Sequence, residues 1–377
     1  MKQIFLGADL FDGERIVTDH ALVVEDGVIK TLTPINERPR DCEAIELSGG
    51  TLSPGFIDVQ VNGGGGTLLN ETPTPEGVAA ITDAHLRLGT TSLLPTVITD
   101  HPKILSEALH ATHIARQTRR GILGLHVEGP FIDVDKKGAH PANYIRALTD
   151  ADIHLLAKER AGILLLTVAP NKVMPDQISA LTRAGIHVSL GHSNATDLEA
   201  KAAIDAGARA VTHLFNAMSQ CEARAPGLVG ATLADPRVIC GLIADGHHVA
   251  PTAILAALAA KGPQGIALIS DAMPSAAGGP DQFMLQGRTV RRHNKKLTLE
   301  NGTLAGADIT MLDAVHYILS LGVPLADALR MATQTPATMI GLGGKIGALR
   351  PGYPADFVHL GEDWGLLGVY SAGKRVD

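Results

Sequence analysis

The chain has 377 residues, of which 45% are hydrophobic, 3% are aromatic and 41 are glycines. This composition favours a well-packed α/β protein over a disordered or repeat protein, and the length suits a large barrel with an appended domain. The net charge of −7 argues against general binding to nucleic acids or membranes, so an anionic ligand would need a local cluster of donors.

The three cysteines, Cys42, Cys221 and Cys240, are scattered and lack Cys-x-x-Cys spacing. Such a set argues against a disulfide framework and for a reducing compartment, and each cysteine is expected to be a buried or half-buried hydrophobe. Asp9 and Asp12 interrupt the N-terminal segment before a long apolar run develops, which is unlike a signal peptide. No apolar run is long enough to span a membrane, and we expect a soluble, cytoplasmic protein.

Both ends of the chain predict short strands. Near the N-terminus, "QIFLGADLFDG" and "HALVVEDGVIKTL" alternate apolar and polar residues around Asp-Gly turns, and near the C-terminus "GALRPGYPADFVHLG" and "GVYSAGKRVD" are broken by Pro and Gly. We therefore expect one small sheet domain built from residues 1–52 and 346–377. Two unrelated decorations are the alternative, which would leave unpaired edges on both.

Residues 53–345 alternate strands with helices. The helical segments are rich in Ala and Leu, as in "TPEGVAAITDAHLRLG", "DLEAKAAIDAGA" and "PTAILAALAAKG". Strands that are apolar on both faces and alternate with helices predict a parallel sheet, and eight of them predict a (β/α)8, TIM-like barrel. The eight predicted strands are 55–61, 91–98, 122–129, 164–170, 187–193, 210–216, 239–246 and 266–272.

An open doubly wound sheet is the structural alternative to this barrel. Neither a GxGxxG nor a P-loop motif stands where such a sheet would bind a nucleotide. After the eighth strand, the Gly-rich segment 285–306 is expected to form an inserted hairpin.

Chemistry in such barrels lies at the C-terminal ends of the strands. Single residues there have simpler explanations, since Glu128 or Asp271 could cap a helix and a lone histidine is more often a hydrogen-bonded loop residue. Ligand and proton-transfer types nevertheless end many of the strands, which independent caps would not produce. These residues are Gln60, Asn62, Glu128, His192, His213, Asp245, His247, His248 and Asp271.

Glu128, His192 and His213 form a set that suits Zn²⁺ or Fe²⁺ and leaves a position open for water. A metal there lowers the pKa of the bound water to about 7, and Asp271 is then the expected acceptor of its proton. On the first strand, Gln60 and Asn62 occupy the positions where many metal-dependent hydrolases carry His-x-His. Amides are poor metal ligands, so the site is either inactive or works with fewer metals.

Nine strings, in order along nearly the whole chain, resemble those of the N-acetylglucosamine-6-phosphate deacetylases of the amidohydrolase superfamily. The resemblance implies a distorted (β/α)8 barrel with a small β-sandwich, and a homodimer. The strings are "LSPGFIDVQVNG", "GLHVEGPF", "KKGAHP", "SLGHSNAT", "THLFNAM", "RAPGLVGA", "LIADGHHV", "LISDAMPSAAG" and "NGTLAGADITM".

The resemblance also implies roles for particular residues. Glu128, His192 and His213 match the metal ligands, Asp271 the catalytic acid/base, and His140 the histidine that approaches the sugar and the acetyl carbonyl. One divalent metal per chain is expected: Zn²⁺, with Fe²⁺, Mn²⁺ or Co²⁺ as alternatives. The positions that match the substrate-binding set are Ala139, His140, Asn216, Ala217, Arg224, His248, Leu304 and Gly306.

Two of these assignments concern positions with a second explanation. Arg224 could be an ordinary surface charge and Asn216 a helix cap, although a cluster of donors is what an anionic substrate needs. Some members of the family carry His-x-His on the first strand and hold two metals, whereas others carry Gln-x-Asn and hold one. Gln60 and Asn62 are therefore expected to hydrogen-bond the metal-bound water or to fill the second metal position.

The function implied is hydrolysis of N-acetylglucosamine 6-phosphate to glucosamine 6-phosphate and acetate, in amino-sugar catabolism and cell-wall sugar recycling. The galactosamine epimer is an alternative substrate, although the Gln-x-Asn strand favours the glucosamine type. A non-catalytic barrel that binds sugar phosphates is the alternative from another class, and it would be expected to lose the ligands or the acid/base.

Overall fold

A barrel of eight parallel strands forms the centre of the molecule, as the sequence predicts. The computed structural model describes residues 2–41 and 43–377, and each barrel strand pairs with the next one along the chain. Backbone hydrogen bonds from Asp271 N to Gln60 O (3.0 Å) and from Asn62 N to Ala272 O (2.9 Å) join the eighth strand to the first. From first to eighth, the strands are Phe56–Val61, Thr90–Ile98, Gly124–Glu128, Ile163–Val168, His187–Leu190, Ala210–Val211, Ile239–Ile243 and Ile266–Ile269.

The sixth strand is much shorter than predicted, because it ends at Val211. Beyond it the backbone enters the left-handed region at His213, Phe215 and Ala217, with φ of 30°, 77° and 51°. Strand pairing cannot continue through such residues, so the apolar segment 212–216 forms turns at the mouth of the barrel.

In the described part of the chain, ten α-helices surround the barrel. Several begin at a threonine that accepts a hydrogen bond from the first turn, and Thr149, Thr196 and Thr310 each form a reciprocal capping box. The helices are α1 (Pro75–Leu86), α2 (Pro102–Thr118), α3 (Asp150–Lys158), α4 (Pro175–Arg183), α5 (Asp197–Asp205), α6 (Gly227–Ala234), α7 (Pro251–Lys261), α8 (Met311–Ser320), α9 (Leu325–Ala332) and α10 (Gln334–Met339).

Two sheets built from both chain termini form the separate, strand-rich domain. The four-stranded sheet has the spatial order Val28–Pro34, His20–Glu25, Lys2–Leu6, Glu43–Glu46, and the six-stranded sheet has the order Lys374–Arg375, Leu366–Ser371, Phe357–Leu360, Thr51–Pro54, Asp9–Phe11, Ile16–Val17. The sheets share an apolar core, in which the rings of Phe5 and Phe357 pack edge to face with centroids 4.9 Å apart.

The insertion after the eighth barrel strand is larger than the expected hairpin. It is an antiparallel sheet of four strands, Gln282–Leu285, Arg288–His293, Lys296–Leu299 and Leu304–Ala307. Its last strand returns to the barrel, where Ala307 N donates to Asp271 O at 2.9 Å. The inserted sheet therefore lies over the mouth of the barrel. A two-stranded ladder, Gly63–Gly64 with Thr67–Leu68, follows the first barrel strand.

Of the cysteines, Cys240 is buried as expected, but Cys221 is exposed, which contradicts the prediction for it. Cys42 lies outside the described residues. Within the described part of the chain, no helix is both long and apolar enough to cross a membrane.

Candidate active site

A cavity of about 420 Å³ opens at the C-terminal mouth of the barrel, beneath the inserted sheet. Strand ends supply its floor, and Leu285 together with 303–306 of the inserted sheet supplies part of its wall. Most of the residues singled out in the sequence line it: Asn62, Glu128, Ala139, His140, His192, His213, Asn216, Ala217, His248, Asp271, Leu304 and Gly306.

The ends of the third, fifth and sixth strands bring Glu128, His192 and His213 together. Oε1 of Glu128 lies 3.1 Å from Nε2 of His192 and 2.9 Å from Nε2 of His213, and the two ring nitrogens are 3.0 Å apart. All three side chains are buried. Three ligand atoms thus converge at spacings close to the roughly 3.3 Å between neighbouring ligands of a tetrahedral Zn²⁺.

The protonation of His192 tests whether this cluster suits a metal. Its Nδ1 lies 2.8 Å from the carbonyl oxygen of Lys136, which can only accept, so Nδ1 carries a proton. With the proton on Nδ1, an unprotonated Nε2 points its lone pair at the carboxylate of Glu128. The lone pair and the carboxylate repel each other unless a cation, or a second proton on the ring, lies between them. The donor set therefore fits a metal ion.

The charges in the cluster also favour a bound metal ion. Burial opposes ionisation of Glu128, but the hydrogen bonds and charges of His192 and His213 outweigh it and hold the pKa of Glu128 well below its usual range. Burial also lowers the pKa of His213, and the Glu128 carboxylate more than reverses this and raises it. The pocket thus holds a permanent carboxylate and attracts positive charge.

Asp271 lies beside the ligands and receives the amides of the first strand. Its Oδ1 accepts hydrogen bonds from Asn62 Nδ2 at 2.7 Å and from Gln60 Nε2 at 3.1 Å, and the same Gln60 nitrogen donates to Glu128 Oε1 at 3.2 Å. Burial, followed by the charge of Glu128, raises the pKa of Asp271 to about 6. A carboxyl group with this pKa can take up and release a proton near neutral pH.

His140 is buried against the same cluster, with its ring centroid 4.5 Å from that of His192. Its Nδ1 lies 2.8 Å from Thr99 Oγ1. Burial, and then the nearby His192, lower its pKa well below the usual range, so the ring is neutral. Ligand atoms of Glu128, His140 and His192 lie within 4.8 Å of one another.

His248 and Asn216 also line the cavity. The carboxylate of Asp245 accepts from the backbone of His247 and His248, and its Oδ2 lies 2.6 Å from His248 Nδ1. This fixes the ring so that Nδ1 faces the carboxylate, which leaves Nε2 for a ligand. Asn216 donates Nδ2 to the carbonyl of Leu214 and so bonds within its own turn.

The described residues that line the cavity do not include Arg224. It is exposed at the tip of a tight turn, in which the backbones of Glu222 and Ala225 exchange hydrogen bonds of 3.1 and 3.2 Å. The structure of one chain therefore does not bring Arg224 together with the other predicted substrate residues.

Backbone strain is concentrated at this site. His192, His213, Ala217 and Asp271 have φ of 46°, 30°, 51° and 50°, in the left-handed region that non-glycine residues rarely adopt. Gly306 (φ 67°) lies so close to the eighth strand that a Cβ atom there would come within 2.9 Å of Asp271 O. Strain that the surroundings impose on several chemically active residues at once is typical of functional sites.

A buried polar layer under the ligands was not foreseen from the sequence. His126 lies between Thr96 Oγ1 (3.2 Å) and Thr167 Oγ1 (2.8 Å), and hydroxyl contacts continue to Thr212 (2.7 Å) and on to Ser189 (2.6 Å). This layer links the second to the sixth strand. His126 lies two residues before Glu128 on the same strand, so both side chains point to the same face. This spacing is the feature of the sequence that could have predicted the layer.

Asp58, two residues before Gln60, is a further buried carboxyl group. Its Oδ1 accepts from the backbone of Gln60 (3.1 Å) and of Ser270 (3.3 Å). Burial raises its pKa to about 7. An acidic residue inside the apolar strand "GFIDVQV" was visible in the sequence, but its link to the eighth strand was not.

Comparison with known proteins identifies the family. An amidohydrolase family model matches residues 51–376, and a NagA composite domain matches residues 5–52. The chain is 40% identical to the N-acetylgalactosamine-6-phosphate deacetylase of Shewanella sp. (strain ANA-3), over 97% of this chain and 95% of that one. It is 32% identical to the N-acetylglucosamine-6-phosphate deacetylase of Haemophilus influenzae, over 99% of both chains.

A solved structure agrees with the family model. The crystal structure of N-acetylglucosamine-6-phosphate deacetylase from Pasteurella multocida superposes with a TM-score of 0.96 at 34% identity, over 100% of both chains. The chain therefore belongs to the amidohydrolase family, and within it to the group that holds the N-acetylglucosamine- and N-acetylgalactosamine-6-phosphate deacetylases.

Proposed function

We propose that this protein hydrolyses the acetamide of N-acetylglucosamine 6-phosphate to glucosamine 6-phosphate and acetate, in amino-sugar catabolism and cell-wall sugar recycling in the cytoplasm. One observation carries the proposal. In a member of a deacetylase family, a buried carboxyl group with a pKa of about 6, Asp271, lies beside a converging Glu/His/His ligand set in a cavity.

One divalent cation per chain, Zn²⁺, would be held by Glu128, His192 and His213. When bound, such an ion polarises the acetyl carbonyl and acidifies a water molecule. A second ion is not expected, because both polar hydrogens of the Gln60 amide are directed at Glu128 and Asp271. Asn62 likewise points its amide nitrogen, which is no metal ligand, at Asp271.

Asp271 acts first as base and then as acid. Its carboxylate takes a proton from the water that attacks the amide carbon, and it returns this proton to the sugar nitrogen as the carbon–nitrogen bond breaks. The products are the amine and acetic acid, and the proton of the acid then passes to the amine, which leaves an ammonium group and acetate and accounts for every atom. Both amide hydrogen bonds go to Oδ1, which makes Oδ2 the oxygen available for the proton.

His140 stabilises the oxygen of the acetyl group. Its ring is neutral because of burial, so a proton on Nε2 can be donated to the negative charge that develops on that oxygen. A donor held in place inside a buried site is worth more than the same donor in water.

The phosphate group would be bound by two donors that line the cavity, Asn216 and His248. A dianion requires several charge-assisted donors, and the strand ends near Asp271 are committed to the reaction. We propose that the protein is a homodimer in which Arg224 supplies the missing charge to the partner's site. Its exposed position on an outward turn supports this arrangement.

The galactosamine epimer is the second candidate substrate. The observation that favours it is the 40% identity to the Shewanella N-acetylgalactosamine-6-phosphate deacetylase, against 32% to the Haemophilus glucosamine enzyme. The two sugars differ only in the orientation of one hydroxyl group, so the same catalytic residues would serve both.

An acetate-release assay on both 6-phosphates tests the proposal, together with metal analysis of the purified protein. We expect turnover of the glucosamine substrate, about one divalent ion per chain, and loss of both turnover and metal after chelation. Faster turnover of the galactosamine epimer would select the second candidate. Acetate release that survives complete removal of metal, or none from either sugar, would contradict the proposal.

A further inference from the structure

The tip of the inserted sheet reaches down to two loops of the barrel mouth. The tip is the two-residue turn Gln286–Gly287, in which both residues have positive φ (50° and 78°), as tight hairpin turns require. Gln286 Nε2 donates to Thr99 O at 2.7 Å and to Asp100 Oδ2 at 2.8 Å, and its backbone N donates to Glu71 Oε1 at 3.0 Å. The tip is thereby bonded to the loop after the second strand.

Arg288, the first residue beyond the turn, bonds to the loop after the third strand. Its Nη2 donates to the carbonyl of Ala139 at 2.5 Å and to Gln286 Oε1 at 3.3 Å. Burial lowers the pKa of Arg288, and it makes no ion pair with any carboxylate among the described residues. A half-buried guanidinium directed at one main-chain carbonyl holds that carbonyl in place rather than balancing a charge.

The two residues that receive these bonds are those that hold His140. Ala139 immediately precedes it, and Thr99 Oγ1 lies 2.8 Å from its Nδ1 but 3.4 Å from the carbonyl of Glu128. The 2.8 Å contact to Nδ1 fixes the orientation of the ring, whichever of the two atoms donates the proton.

We propose that Gln286 and Arg288 form a clasp, defined by their hydrogen bonds to Thr99 and Ala139, and that this clasp is a positioning device for His140. It holds the imidazole in one place and one orientation, and so favours a single tautomer. The inserted sheet thereby contributes to the reaction without touching the reacting atoms. Its effect on catalysis rests on the proposed function, whereas its effect on the ring of His140 does not.

Nitrogen NMR of the histidine-labelled full-length protein measures that ring directly, with the signal assigned by its loss in His140→Ala. We expect one tautomer of the His140 ring in the wild type, and a mixture of tautomers in Arg288→Met and Gln286→Leu. Arg291→Met is the matched control, since Arg291 lies on the same strand and its side chain donates to Gln282 Oε1. A His140 signal that is the same in wild type and in the double variant Gln286→Leu/Arg288→Met, or a wild-type ring that is already a mixture of tautomers, would refute the clasp.

Kinetics give the second readout. Arg288→Met should lower kcat for the 6-phosphate roughly 10- to 100-fold, as a small misplacement of a catalytic group does, with KM and metal content nearly unchanged. Added guanidinium should restore part of kcat in Arg288→Met but not in His140→Ala. If Arg288→Met does not fold, Arg288→Lys, which keeps a donor, should give a smaller loss of kcat, and an unchanged kcat in both would overturn the proposal. Absence of all deacetylase activity in the wild type would refute the proposed function and leave the NMR result to decide on the clasp.

Discussion

Asn62 donates a hydrogen bond of 2.7 Å to Asp271 across the junction between the first and last barrel strands. The bond stabilises the ionised form of Asp271 and so opposes the burial that raises its pKa to about 6. In this chain the first strand therefore tunes a carboxyl group at the end of the eighth strand.

Replacing Asn62 should shift the pH dependence of the reaction. In Asn62→Leu the ionised form of Asp271 loses a donor, so its pKa rises and the acid limb of kcat/KM against pH moves to higher pH. One hydrogen bond to a charged group corresponds to about one pH unit. Thr303→Val, which alters a cavity residue outside the set that bonds Asp271, should leave the profile in place. An acid limb unmoved in Asn62→Leu would assign that limb to another group.

Replacing Asp271, the proposed proton-transfer group, should separate chemistry from binding. Asp271→Asn retains the shape of the side chain and lies outside the Glu128, His192 and His213 cluster, so metal content and substrate affinity should remain close to wild type. Turnover should fall roughly 10³-fold or more, as expected when one group serves as both base and acid. Metal analysis, calorimetric titration with the 6-phosphate and acetate release measure the three quantities. Near-normal turnover in Asp271→Asn would assign the proton transfer to a different residue.

Asp58 should make stability depend on pH. Its pKa is about 7 in the folded protein and about 3.9 in an unfolded chain, so unfolding releases a proton between these values. The stability that the neutral group contributes is complete below about pH 4 and is lost as pH rises to about 7, at up to about 1.4 kcal/mol per pH unit.

Asp58→Asn removes this contribution and should flatten the free energy of unfolding between pH 4 and 7. Urea unfolding at several pH values compares the variant with wild type. Asp150→Asn, at an exposed carboxyl group on α3, is the control and should keep the wild-type slope. An Asp58→Asn slope equal to that of wild type would mean that Asp58 is ionised in the folded protein.

The barrel and the convergence of the strand-end side chains were predictable because they follow from local patterns. Strands that are apolar on both faces alternate with Ala/Leu-rich helices, and Glu128, His192 and Asp271 each end or follow such a strand. The parallel arrangement brings those ends to one rim, so adjacency in space followed from topology. The boundaries 1–52 plus 346–377 and 53–345 remain predictions for the two domains.

The features that were missed depend on long-range contacts with the main chain. Gln286 and Arg288 bind the main-chain carbonyl groups of Thr99 and Ala139. Every residue has such a group, so a residue pattern does not show which one is bound. The sequence predicts one hairpin where the inserted sheet has four strands, because their charged and Gly-rich segments alternate only weakly. It also predicts a longer sixth strand than the one observed, because an apolar run does not show the left-handed backbone at His213.

The exposed position of Arg224 gives the sharpest test of assembly. If it binds the phosphate, Arg224→Ala should raise KM for the 6-phosphate roughly 10- to 100-fold, the value of a charge-assisted hydrogen bond, and hardly change the slow hydrolysis of unphosphorylated N-acetylglucosamine. Arg183→Ala, at another exposed arginine, should change neither.

A hybrid dimer of an Arg224→Ala chain and an Asp271→Asn chain then distinguishes an arginine that acts within its own chain from one that acts on the partner's site. Its one site with Asp271 intact belongs to the Arg224→Ala chain and receives an arginine only from the partner, so an arginine that acts across the interface gives a wild-type KM. A hybrid with the high KM of Arg224→Ala would mean that the arginine serves its own chain, and a KM for the Arg224→Ala homodimer equal to that of wild type would remove Arg224 from the phosphate site.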